Sequence, residues 1–166
     1  EFDYSNWYNV SSKWYGNWGG SLLKTYNFSR DYLAYYSSTW SEIGWHATRV
    51  LDVGTMLNVF VEGNPDNKIE DITYNARPFV SVTPLNDLNM RIYLDNVYVR
   101  STKQVQQMIF GFLFSYSFLP KSWIYLAVNE VRDRSDQFDQ TGTLLPNTLH
   151  VRDRVSVLKM KYLYYF

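Results

Sequence analysis

From Gln106 to Phe118 apolar and small residues take turns along the chain. Met108, Phe110, Phe112, Phe114, Tyr116 and Phe118 fall on one side; Ile109, Gly111, Leu113, Ser115 and Ser117 fall on the other. A repeat of two is the signature of a strand, because successive side chains leave opposite faces of the pleat. The same period runs through other segments. Leu51, Val53, Thr55, Leu57, Val59 and Val61 alternate with Asp52, Gly54, Met56, Asn58 and Phe60. Ile72, Tyr74, Ala76, Pro78, Val80 and Val82 alternate with Thr73, Asn75, Arg77, Phe79 and Ser81. Leu158, Met160, Tyr162, Tyr164 and Phe166 alternate with Lys159, Lys161, Leu163 and Tyr165. Counted back from Phe166, the pattern predicts eight strands near 151–166, 122–133, 105–118, 89–100, 69–83, 48–61, 31–45 and 3–15. Alternation is poor from Ser29 to His46, Pro78 predicts a bulge or weak pairing, and Asn96 falls on an otherwise apolar face.

Segments of ten or more residues suit a tilted bilayer crossing better than the five or six residues of a common soluble strand. Composition adds to this. Aromatic residues make up 19% of the 166 residues and mean hydropathy is slightly polar, −0.33. The longest apolar stretch, Met108 to Phe114, is far shorter than the roughly 20 residues a membrane helix needs. An aromatic-rich but polar chain is expected of an antiparallel transmembrane β-barrel with a wet interior. The competing reading is a soluble β-sandwich with an aromatic core. Sixteen basic and sixteen acidic residues cancel, which argues against a nucleic-acid partner. There is no Cys, so disulfides and thiolate metal sites are excluded.

Barrels of this kind set short turns in the periplasm and long loops outside, with the C-terminus periplasmic. The turns at 84–87 and 119–122 then lie inside and the polar loop 135–149 outside; the loop at 101–104 is short for its side. Trp123, Phe118, Tyr162 and Tyr164 fit a periplasmic aromatic girdle, with Tyr98 toward the other interface. The expectation is one domain over 1–166 in a Gram-negative outer membrane. No export signal is legible at Glu1-Phe2-Asp3-Tyr4, so the domain is expected to be incomplete upstream.

Two segments resemble a known family. Ser122-Trp-Ile-Tyr-Leu-Ala-Val-Asn-Glu-Val-Arg-Asp133 and Arg152-Asp-Arg-Val-Ser-Val-Leu-Lys-Met-Lys-Tyr-Leu-Tyr-Tyr-Phe166 are similar to the closing hairpin of uncharacterised outer-membrane proteins. In those proteins a periplasmic domain like family-9 carbohydrate-binding modules precedes a C-terminal barrel. The resemblance implies the last portion of a larger barrel, connected with carbohydrate, and a terminal aromatic strand (Tyr162, Tyr164, Phe166) read by the assembly machinery. It carries no sugar-binding residue to this chain.

Asp52, Asn58, Asn75, Arg77, Arg91, Asp95, Lys159 and Lys161 are expected to point into the barrel, either pairing as a polar plug or lining a pore. Arg132, Arg134, Arg152 and Arg154 come from the repeated Val-Arg-Asp-Arg at 131–134 and 151–154. If neither strand bulges, all four leave on the lipid side, where lipopolysaccharide phosphates could be clamped by bidentate forks. The competing reading is a bulge that turns them into Arg–Asp rim pairs. His46 and His150, the latter near Asp136 and Asp139, are the only candidates for hydrolytic chemistry; no metal-ligand, phosphate-loop or nucleophile motif accompanies them. The leading expectation is therefore a non-enzymatic channel or transport-associated barrel without cofactor or metal. A non-conducting barrel that anchors a periplasmic domain or partner subunits comes second, and a barrel hydrolase third.

Overall fold

The computed structural model describes residues 2–9, 11–66, 68–134 and 148–163. It contains nine strands: β1 (Phe2–Asn9), β2 (Trp14–Asn27), β3 (Tyr32–His46), β4 (Leu51–Gly63), β5 (Ile69–Leu85), β6 (Leu88–Val99), β7 (Gln104–Leu119), β8 (Ser122–Asp133) and β9 (His150–Lys161). Each pairs antiparallel with its sequence neighbour, in one sheet ordered β1 through β9, and no helix occurs among the described residues. The sheet is open: β1 and β9 are its two edges.

The eight expected strands become nine at the N-terminus. In place of one strand over 3–15 there are two, β1 and β2, running in opposite directions. The turn between them carries neither Gly nor Pro. The Ser11 hydroxyl instead accepts the backbone N–H groups of Lys13 and Trp14, each at 3.2 Å, a side-chain substitute for a backbone turn. β2 escaped notice because Gly16, Gly19 and Gly20 dilute its alternation. At Pro78 the β5–β6 ladder pairs Ala76 with Asn96 and Phe79 with Tyr93, and is interrupted between them without a change of register. Past Asn96 the register of β6 on β7 shifts between Val97 and Tyr98.

Register joins the strand faces into two sheet-wide surfaces. One holds Leu57, Val80, Ile92, Phe112, Leu126 and Leu158; the other holds Asp52, Ser81, Arg91, Leu113 and Ala127. Val80 is 41%, Ile92 49%, Phe110 51% and Leu158 71% exposed, whereas Ala34 and Phe79 are the only buried apolar residues among those described. The accessible surface is 11778 Å². A compact monomer of 19.7 kDa would expose about 8,600 Å². The hydrophobic groups therefore do not form a core between layers; they cover one face of a single layer.

Aromatic residues gather at both rims of the apolar face. Trp14 stacks on Trp45 at 6.0 Å and Phe118 on Tyr162 at 6.4 Å at one rim, and Tyr74 meets Tyr98 at 6.1 Å at the other. Trp123, expected in the girdle, shares the polar face of Ser117 and Lys161 instead. Ser122, fully buried, ties down the chain after β9: its hydroxyl accepts the Leu163 N–H at 3.0 Å. Ser122→Ala should cost about 1 kcal/mol, measured by urea unfolding.

Candidate functional site

The polar face carries one continuous row of paired residues from β2 to β8: Tyr15, Gly44, Gly54, Phe79, Tyr93, Gly111 and Asn129. Rings and glycines are matched in it. A methyl group added at Gly44 would run into the Tyr15 ring, at Gly54 into Phe79, and at Gly111 into Tyr93. The three rings thus lie along the wall, over neighbouring backbone that only glycine leaves bare. Trp40 lies over Gly19 in the same manner. The Tyr93 hydroxyl continues the row by donating to Asn129 Oδ1 at 2.8 Å.

Each ring of the row holds a basic group. The His46 imidazole lies 4.9 Å from Tyr15, the Arg91 guanidinium 4.5 Å from Phe79, and that of Arg77 5.3 Å from Tyr93. Stacking on a π face both attracts a cation and holds it flat. Arg77 also donates through Nε to Asp95 Oδ2 at 2.9 Å, and its Nη2 bonds the same oxygen. Asp95 is 3% exposed, and its Oδ1, like Asn75 Oδ1, has no hydrogen-bond partner among the described residues.

All eight residues expected inside the barrel share this face. Asn58 pairs with Asn75 across β4 and β5, and Asp52 pairs with Ser81 and receives His46 Nδ1 at 2.5 Å. Lys159 and Lys161 stand beside Tyr125 and Trp123, and neither reaches a carboxylate among the described residues. Near them Trp123, Tyr125, Asn86, Asp87, Asn89 and Ser115 border an open cleft of about 480 Å³. Alternation puts Phe79 and Gly54 on this face, but the aromatic–glycine row itself leaves no signal in the sequence. The His46–Asp52 pair orients an imidazole. His150 begins β9 and bonds Thr148; Asp136 and Asp139 lie outside the described residues, as do Tyr164 and Phe166.

The four arginines do not stand unpaired on the apolar face. The β8–β9 register shifts between Val131 and Arg132, and Arg152 is the extra residue. It turns to Asp133 at 3.0 Å and Asp153 at 2.7 Å. Arg132 and Arg154 remain on the apolar side and share Glu130, donating through Nε at 2.7 and 2.8 Å. Arg134 donates to the Val105 carbonyl at 2.7 Å. The bulge and the carboxylates of Glu130, Asp133 and Asp153 give Arg132, Arg152 and Arg154 the rim ion pairs of the competing reading. Glu130 was legible beforehand, since it shares the even positions of Ile124, Leu126 and Val128.

Comparison of the chain with protein-family models, with curated proteins and with solved structures finds no match.

The close fit of glycine and ring has a measurable consequence. Gly111→Ala should destabilise by about 1–3 kcal/mol through overpacking. In a Tyr93→Ala background the same change should cost little. Gly63→Ala, whose new methyl would have nothing nearer than Lys68 O at 3.7 Å, should be near neutral. Equal penalties at Gly111 with and without the Tyr93 ring would contradict the packing.

Proposed function

We propose that these nine strands form part of the wall of an outer-membrane β-barrel, and that the barrel is a channel for polar solutes. One observation carries the reading: a single-layer sheet with one face apolar and exposed from strand to strand, and the other face polar. Water does not tolerate so large an apolar surface, and a bilayer does. The aromatic pairs at both rims of that face suit the two headgroup layers. The two-residue turns 86–87 and 120–121 mark the rim that would be periplasmic, and the end of β8 at Asp133 and the start of β9 at His150 would then lie at the outer rim.

A conducting interior is favoured over a plugged one by the side chains of the polar face. Rings laid on glycine and guanidiniums laid on rings keep close to the wall, where upright side chains would fill a lumen. The cleft beside Trp123 and Tyr125, with its amides and carboxylate, offers ring faces and hydrogen-bonding groups to a polyhydroxylated solute. This agrees with the carbohydrate connection implied by the closing hairpin.

The test combines facing and conductance in the full-length gene product. Cysteines at Val80, Phe112 and Met160 should resist a water-soluble maleimide in intact membranes, while cysteines at Asn58 and Ser115 should react. The purified protein should give discrete current steps in planar bilayers. Equal labelling of both sets would end the barrel reading. Correct facing without conductance would end the channel and leave the anchoring barrel.

A further inference from the structure

β1 pairs only with β2, and β9 only with β8. In hydrocarbon, each unpaired backbone group along such an edge costs several kcal/mol, so an edge within a bilayer has to be covered. β1 has neither a proline nor a bulge, and β9 is interrupted at Arg152 near its start. β1 pairs without a shift along its whole length, and β9 does so from Asp153 to Lys161. Both edges also bear apolar groups on the face of Ser21 and Lys159: Trp7 is 75%, Val155 48% and Val157 37% exposed. A neighbouring strand at each edge would cover part of them.

Strand direction restricts what that neighbour is. Nine consecutive antiparallel strands leave β1 and β9 running the same way. Direct closure of β1 on β9 would make one parallel pair in a wholly antiparallel sheet. A second copy does not help. Copies inserted in one orientation all point their edge strands alike, so every β1–β1, β9–β9 or β1–β9 contact between them is parallel too. An antiparallel partner is needed at each edge, and only an odd number of strands offers the right direction at both ends.

Resting on the barrel reading above, we propose that the ring is completed by an odd number of further antiparallel strands of the same polypeptide. The strand of that set beside β1 runs against it, and the strand at its other end lies along β9, covering Val155 and Val157. The total becomes even, as in bacterial single-chain barrels.

The full-length protein in its own membrane tests this with the photoreactive residue p-benzoylphenylalanine placed at Ser5 or at Val155. Both positions are expected to cross-link within the polypeptide, to peptides outside residues 1–166, with no gain in mass on a denaturing gel. A Ser5-to-β9 link would show self-closure. A heavier adduct would show a second copy or another protein in the gap, and absence of any product with rapid amide exchange along β1 and β9 would show open edges; each of these overturns the proposal. Electron cryo-microscopy of the same preparation should count an even number of strands, and an odd count overturns it as well. The maleimide pattern separates the failures. If Phe112 and Ser115 label alike, the barrel itself is wrong; if their facing holds, only the completion is wrong.

Discussion

If the sheet is the barrel wall proposed, Phe112→Arg should lower stability in a bilayer by about 2–4 kcal/mol, whereas Ser115→Arg, three residues on, should cost far less. Phe112 sits mid-strand on β7, between Ile92 of β6 and Val128 of β8, on the apolar face. In a barrel wall, an arginine there would have to bury its charge in hydrocarbon or reach out to an interface many residues away. Ser115 points the opposite way, among Asn89, Tyr125 and Lys159, where water or polar neighbours solvate a charge. Reversible urea unfolding in lipid vesicles reads the difference directly. Similar penalties at the two positions would mean that both faces see one environment, as in a soluble sandwich. That outcome would remove the physical basis of the proposed function.

Arg77→Met should destabilise by about 3 kcal/mol, and much of that loss should return in the double variant Arg77→Met/Asp95→Leu. Asp95 is buried, one of its oxygens takes both bonds from Arg77, and the other has no donor among the described residues. Removing the guanidinium leaves a buried carboxylate without its counter-charge, which typically costs 3–5 kcal/mol. The Arg77 side chain is 41% exposed, so solvent screens part of the interaction and the lower end of that range applies. Replacing both partners by apolar groups removes the stranded charge together with the pair. The four proteins of this double-mutant cycle, unfolded under one set of conditions, measure the coupling. A coupling near zero would show that Arg77 is held by Tyr93 alone.

Face assignment was legible in the amino-acid order because the pleat repeats every two residues. With Phe112 on the apolar face, Arg77, Asp95 and Lys161 fall on the opposite one, and register places them there. Strand count was less legible. Between Asp3 and Tyr15 a serine makes the turn and the next strand contains three glycines, so neither the breaker nor the alternation stood out. The bulge at Arg152 was undetermined because the repeated Val-Arg-Asp-Arg is compatible with either register, and the choice depends on carboxylates on both strands. Glycines at 44, 54 and 111 read simply as weak points in strands. Their meaning comes from cross-strand partners: Gly111 lies 18 residues from Tyr93, and Gly54 lies 25 from Phe79. Local order settles which way a side chain points, since that depends on the residue's own backbone. Which ring covers which glycine, and which charge meets which, depends on the alignment of separate strands, and only the tertiary structure decides it.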